Sequence, residues 1–402
     1  MNVYVREIAR HLGRLGLSVD VFTRLQTPGT PQVVALGEGA RVVHVEAGPQ
    51  RPVPPAAAMD DLDEFIDGVA AFQRRAGVEY ALLHGHYWLS GLVAVELARR
   101  WGDLPVVQMF HTLGVVKNAL AEDASEWVPE ARLAAEARLA ALADRIVAAT
   151  PLERDDLAWY CGADVDRVRI IPCGVDLGLF RPGDRSAARA RLGFGAECVL
   201  LFVGRPAPIK GLETLLRALA RLKADGYGRV PLRLVIVGGD QDEGRDDERV
   251  RLRALADALE IGDCVDFRGP QLQPDLPEYY RAADLCLVPS HHESFGMAAL
   301  EAMACGVPVV ASRVGGLAVT IQDGVTGVLI PPRDSVALAS AVASLLADEP
   351  RRRGLGRLAH QWAQNFGWPS VARTLVDLYE DLVPGLRGAP PAAADVHWAE
   401  TP

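Results

Sequence analysis

Two cations share one loop in VLLFVGRPAPIKG (Val199–Gly211). An apolar run ends at Gly204, a helix is predicted from Leu212, and Arg205 and Lys210 lie between them. Arginine offers phosphate oxygens a planar fork, and lysine a compact ammonium. Loops at the carboxyl ends of parallel strands are where open α/β sheets bind ligands, so this pair suits a diphosphate. A second constellation spans SHHESFGMAALEAMACGVPVVASRVGG (Ser290–Gly316). It reads as a loop, a helix over Met297–Ala304, a glycine at Gly306 and a further strand. Ser294 and Gly296 stand at the helix start, where unpaired N–H groups and the positive dipole end face an anion. Glu293 precedes the helix and Glu301 lies a turn inside it, so the two carboxylates suit two separate sets of sugar hydroxyls. Gly315–Gly316 lets a backbone approach closely. His111 ends an apolar run and is followed by Thr112. His291 and His292 read as loop residues, and no metal site is expected.

These residues need elements to position them. The chain has 402 residues, which predicts two to three domains. Apolar strand-like runs alternate with amphipathic helical stretches such as Asp60–Ala76, Glu130–Ala143, Leu212–Ala224 and Arg249–Leu259. Several strand candidates are apolar at nearly every position, including Pro105–His111, Val199–Val203 and Leu285–Pro289. Strands buried on both faces read this way, so the class is α/β with parallel sheets. About a dozen strands exceed one ordinary doubly wound sheet. The Gly/Pro/Asp-rich segment Cys173–Arg185 reads as a linker, with the pattern restarting after it. The predicted domains are 1–178 and 179–367, then a C-terminal helix over 368–383 crossing back to the first domain. A disordered tail is expected over 384–402.

The net charge is −10, which argues against nonspecific binding to nucleic acid or anionic membranes. The longest apolar runs fall far short of the ~20 residues that span a bilayer. The N-terminus lacks the layout of a secretion signal. The six cysteines are scattered with no CxxC pair, as in a reduced, cytoplasmic protein.

The Val203–Gly211 run and ESFGMAALEAMACGVPVVASRVGG resemble the retaining glycosyltransferases of family 4. These have the GT-B architecture, two Rossmann-like domains facing a cleft. MNVYVREIARHL, HGHYWLSG (His84–Gly91), HTLGVVKN (His111–Asn118) and PEARLAAE (Pro129–Glu136) resemble one branch of that family. It includes the mycothiol-type inositol-phosphate N-acetylglucosaminyltransferases, the 2-deoxystreptamine glycosyltransferases and enzymes like sucrose-phosphate synthase. The resemblance covers about residues 1–383. It implies that Arg205 and Lys210 grip the donor diphosphate, Glu301 binds the ribose hydroxyls and Glu293 holds donor sugar hydroxyls. Backbone N–H groups of Phe295, Gly296 and Met297 fall where the family contacts donor sugar and phosphate. His111 matches a histidine beside the reacting sugar, Asn2 matches an acceptor-binding position, and Tyr87, Thr112 and Arg132 match acceptor-binding positions that contact the acceptor's phosphate. No cofactor or metal is implied beyond the nucleotide-sugar donor, with UDP as the nucleotide. The implied partners are that donor and a small cyclitol or sugar, without nucleic acid or a stable membrane anchor; a homodimer is allowed. A pyridoxal-phosphate-dependent phosphorylase, the rival enzyme class, needs a Schiff-base lysine. The chain's lysines are Lys117, Lys210 and Lys223, and Lys210 is committed to the donor loop.

Two departures from the family pattern bear on function. The family has a strand and a Gly-Gly loop just before the MNVYV motif, so a central strand is expected to be missing and to lie upstream of Met1. Within Gly48–Phe65, Pro55 aligns where the family has a lysine that contacts the acceptor phosphate. That replacement removes a positive charge, and Asp60, Asp61, Glu122 and Asp123 can attract an amine. The acceptor expected from this is an aminocyclitol like 2-deoxystreptamine, as in aminoglycoside biosynthesis. The alternative is the inositol phosphate of mycothiol biosynthesis, or a sucrose-phosphate synthase-like transfer.

Overall fold

The computed structural model describes residues 1–121, 127–226, 231–239 and 247–386. Thirteen strands are present among these residues. In chain order they are β1 (Val19–Arg24), β2 (Val33–Gly37), β3 (Ala40–Val45), β4 (Leu83–His86), β5 (Val106–Met109), β6 (Arg145–Ala148) and β7 (Val168–Ile170). Then come β8 (Cys198–Val203), β9 (Leu232–Val237), β10 (Val265–Gly269), β11 (Leu285–Val288), β12 (Val309–Ser312) and β13 (Gly327–Ile330). The chain forms two compact units, Met1–Pro172 with the segment from Trp368 onward, and Cys173–Gly367. The expected boundary near 178 lies a few residues further along.

The second unit holds a parallel sheet in the order β10-β9-β8-β11-β12-β13. Its central strands are buried along their length because helices cover both faces. The helix Leu212–Ala224 buries Leu212, Leu215, Leu216, Leu219 and Leu222, a spacing that puts one apolar stripe on the sheet. Strand order reverses between β8 and β11, which pair directly. The carboxyl ends of strands at such a reversal are the ligand-binding edge of an open α/β sheet. The loops that leave β8 and β11 there are the Arg205–Lys210 loop and the Ser290–Gly296 loop.

The first unit carries two sheets. One is parallel, in the order β4-β5-β6-β7; the other runs β1-β3-β2, with β2 antiparallel. Among the described residues β1 and β4 do not pair, and each stands at an edge of its own sheet. Side chains join the two sheets. The Tyr80 hydroxyl donates to Asp20 at 2.6 Å, and Phe22, Phe72, Tyr80 and Trp101 form a run of ring contacts. One core of Val43, Val45, Ile66, Val69, Phe72, Val93 and Leu97 draws in Phe22 from β1 and Leu83 from β4.

The helix Trp368–Leu382 belongs to the first unit and buries Trp368, Val371, Leu375 and Tyr379. It packs on the helix Asn2–Arg14, with the Trp368 ring edge-on to Tyr4. The expected tail begins at 384, and its residues 387–402 lie outside the described ones. The six cysteines are free thiols, and no described helix is long and apolar enough to cross a membrane.

Candidate active site residues in two clusters

In the second unit the two motif loops are tied together. Lys210 Nζ donates to Glu293 Oε2 at 2.6 Å, and the His291 N–H donates to the Ile209 carbonyl at 2.8 Å. Gly211 adopts the left-handed conformation (φ 70°), and any side chain there would run into the Pro289 carbonyl, so both backbone and space call for glycine. Gly315, also left-handed, lies against Glu293, whose carbonyl accepts from the Gly316 N–H at 2.8 Å. The glutamate loop is thus fixed from both sides by backbone contacts that only glycine allows. Arg205 is exposed, and its guanidinium makes no ion pair or hydrogen bond among the described residues. A cation left unengaged at the ligand edge is free to meet a phosphate.

The helix Met297–Ala304 starts at Gly296, with Phe295 and Gly296 buried. Its first N–H groups have no side-chain cap, leaving them open to a ligand. Glu301 is 8 % exposed and accepts from the Tyr280 hydroxyl at 2.8 Å. Burial pushes its carboxyl up to about 7, and the Tyr280 hydroxyl draws it partly back. This carboxylate therefore titrates near neutrality.

In the first unit a second cluster forms at the carboxyl ends of β4 and β5. Arg132, on the helix Glu130–Leu142, is 4 % exposed. Its Nη1 donates to the Tyr87 hydroxyl at 3.0 Å, and its Nη2 to the Thr112 carbonyl at 2.9 Å and Oγ1 at 3.2 Å. The guanidinium also lies over the Tyr87 ring, 4.9 Å from its centroid. Tyr87, Thr112 and Arg132 therefore converge on one point, where a guanidinium and two hydroxyls with O–H groups of their own suit a phosphate or another oxyanion. Asn2 stands exposed at the start of the first helix.

His111 follows β5 with φ 63°, and Tyr87 follows β4 with φ 80°. Neither is glycine, so both backbones are held in a conformation that costs of order 1 kcal/mol or more. His111 Nε2 lies 3.1 Å from His86 Nδ1; the His86 ring stacks on His84, whose Nδ1 is 2.7 Å from the Tyr379 hydroxyl. Burial holds His86 down at about 4, and burial with the neighbouring imidazole holds His84 and His111 well below the usual histidine range. All three are neutral at pH 7, so the facing nitrogens of His86 and His111 need one N–H and one lone pair between them. His111 therefore works as a neutral hydrogen-bonding group.

Three residues that the sequence reading did not single out prove structural to these clusters. Glu136 receives Arg132, and an arginine and glutamate four apart in PEARLAAE is a readable signal for it. His86 shares a strand face with His84, which the H-x-H spacing implies. Tyr280 has no local signal, since it meets Glu301 only through the fold. Pro55 opens a short exposed helix, Pro55–Ala58. Among the described residues no hydrogen bond or ion pair joins Asp60 or Asp61 to the Tyr87–Thr112–Arg132 cluster. Glu122 and Asp123 lie outside the described residues. No group of three or more His, Cys, Asp or Glu among the described residues is placed to hold a metal ion.

Comparison with known proteins decides the family. Residues 1–174 match the family model described as glycosyl transferase 4-like domain, and residues 184–362 the one described as glycosyl transferases group 1. The D-inositol 3-phosphate glycosyltransferase 1 of Catenulispora acidiphila is 43% identical, over 97% of this chain and 92% of that protein. The chain belongs to the GT-B glycosyltransferases of family 4. The D-inositol 3-phosphate glycosyltransferase of Saccharomonospora viridis is 42% identical to this glycosyltransferase, over 96% of this chain and 90% of that protein. Among solved structures, sucrose-phosphate synthase from Thermosynechococcus elongatus superposes on the transferase with a TM-score of 0.86 at 37% identity, covering 95% of this chain and 93% of that one.

Proposed function

We infer that this glycosyltransferase moves a sugar, with retention at the anomeric carbon, from a nucleotide sugar to an inositol phosphate. The observation that carries the acceptor is the convergence of Arg132 with the Tyr87 hydroxyl and Thr112 Oγ1. A guanidinium flanked by two hydroxyls that accept from it and can each turn their own O–H outward matches a phosphate better than an ammonium. The relatives named for D-inositol 3-phosphate support the same reading. The aminocyclitol expected from the Pro55 replacement has no such support, and the alternative takes its place.

On the donor side, Arg205, Lys210 and the open N–H groups at Phe295, Gly296 and Met297 stabilise the charge that develops on the departing diphosphate. Lys210 has three N–H donors, so it can keep one on Glu293 and turn the others to phosphate. Glu293 then offers its other oxygen to donor sugar hydroxyls, and Glu301 takes the ribose diol. His111, neutral, hydrogen-bonds the reacting sugar. No carboxylate is assigned as nucleophile. The acceptor hydroxyl attacks from the face the diphosphate leaves, and a leaving phosphate oxygen takes its proton.

The test is competition between D-inositol 3-phosphate and 2-deoxystreptamine under one nucleotide sugar. The specificity constant is expected to favour the inositol phosphate by about 100-fold, the value of two or so charge-assisted contacts. A constant favouring 2-deoxystreptamine would restore the aminocyclitol reading.

Donor binding carries a pH signature. An ionised Glu301 accepts both ribose hydroxyls, and protonation removes one acceptor. With the free carboxyl at about 7, the ionised fraction falls roughly tenfold between pH 8 and pH 6. The affinity for UDP should drop by up to about that factor beyond the nucleotide's own titration. Glu301→Gln should bind UDP about tenfold more weakly at pH 8 and lose this extra dependence. Calorimetry at both pH values, with the variant as reference, checks it; identical pH profiles would remove Glu301 from the ribose site.

A further inference from the structure

We propose that Glu136 is a positioning residue that sets selectivity for a phosphorylated acceptor by fixing Arg132. The proposal rests on the reading that the acceptor's phosphate sits at Tyr87, Thr112 and Arg132. Glu136 is 1 % exposed, and both of its oxygens are engaged. Oε1 accepts from Arg132 Nε at 2.7 Å, and Oε2 accepts from the Gly114 N–H at 2.7 Å. Gly114 opens the helix Gly114–Leu120, directly after His111, Thr112 and Leu113. One carboxylate therefore locks the guanidinium to the segment that carries Thr112, another member of the cluster.

The geometry has a chemical consequence. Glu136 occupies Nε, so the Nη1 and Nη2 end of the fork is the part turned toward the Tyr87 hydroxyl and Thr112 Oγ1. The same carboxylate neutralises a cation that would otherwise be buried alone. The empty site is then close to neutral, and it recognises a phosphate by the fixed direction of its donors more than by net charge. Glutamine at 136 keeps the volume but presents an amide N–H₂ on one side. That group would face either Arg132 Nε–H or the Gly114 N–H, donor against donor, so one of the two clamps must release.

The experiment measures kcat/KM for D-inositol 3-phosphate and for plain inositol in the wild type, Glu136→Gln and Glu136→Asp. Aspartate keeps the charge but is too short to hold both partners. In each variant the ratio of the two constants is expected to fall about tenfold, chiefly through a raised KM for the phosphorylated acceptor. A purely structural role lowers the active fraction equally for both acceptors and leaves the ratio where it was. An unchanged ratio in the variants, with a high ratio in the wild type, overturns the proposal. A wild-type ratio near one instead overturns the phosphate reading itself. If the glutamine variant does not fold, the aspartate variant decides on the same outcomes.

Discussion

Lys210→Ala is expected to lower turnover by about 10²–10³-fold, on the order of 3–4 kcal/mol, which is what removing one preorganised donor from a developing oxyanion costs. Lys210 stands on the loop that leaves β8, at the strand-order reversal where ligands bind, and it is held there by Glu293 at 2.6 Å. Its partner Glu293 is part-exposed, so losing the pair should cost the fold little. The thermal midpoint should stay within a few degrees of wild type while kcat at saturating donor collapses. Arg205→Ala should behave alike, because an exposed guanidinium without a partner contributes nothing to packing. The measurement is single-turnover sugar transfer with circular dichroism as the control for folding. Near-normal turnover in both variants would remove the diphosphate from this loop.

The donor loops were legible because their chemistry and their architecture are written in contiguous segments. An apolar strand, a glycine and two cations occur within Val199–Gly211, and a strand, two glutamates and a helix start within Leu285–Ala304. The sheet order then adds only that β8 and β11 are neighbours. The helix Met297–Ala304 and the helix from Leu212 fall where the sequence puts them. The strand β2 was not read, and its burial pattern says why. It is an edge strand, mostly exposed, paired on one side only, and its Val-Val-Ala-Leu-Gly run shows no clean alternation. The C-terminal helix predicted over 368–383 runs from Trp368 to Leu382, with Pro369 in its first turn, where proline is tolerated.

Acceptor preference was harder to read for a physical reason. A single absent lysine, replaced by Pro55, was weighed as a change in net charge. In the fold Arg132 has its charge met by Glu136 at 2.7 Å, so on the proposed reading donor direction matters more there than the charge count. Long-range partnerships such as Tyr280 with Glu301 leave no spacing signal at all. They depend on how separate helices pack.

The Arg132–Glu136 pair also governs stability, and Arg132→Met is the substitution that reveals it. Both groups are buried, and removing one member of a buried pair leaves an uncompensated charge, typically a loss of about 3–5 kcal/mol. Burial already raises the Glu136 carboxyl, and only Arg132 and the Gly114 N–H pull it back. Without Arg132 it must rise further. A carboxyl whose folded-state pKa lies above its unfolded value binds its proton more tightly in the folded state, so stability is lost as pH rises through that window. The deficit of Arg132→Met should therefore be smallest near pH 5 and grow towards pH 8. Adding Glu136→Gln removes the orphaned charge. The double variant should recover a substantial part of the loss and lose the extra pH dependence, although the single glutamine variant is itself destabilised. Urea unfolding of the wild type, both single variants and the double variant, at pH 5 and pH 8, measures the coupling directly. Additive losses with no pH dependence would mean that the two side chains do not act as a buried ion pair.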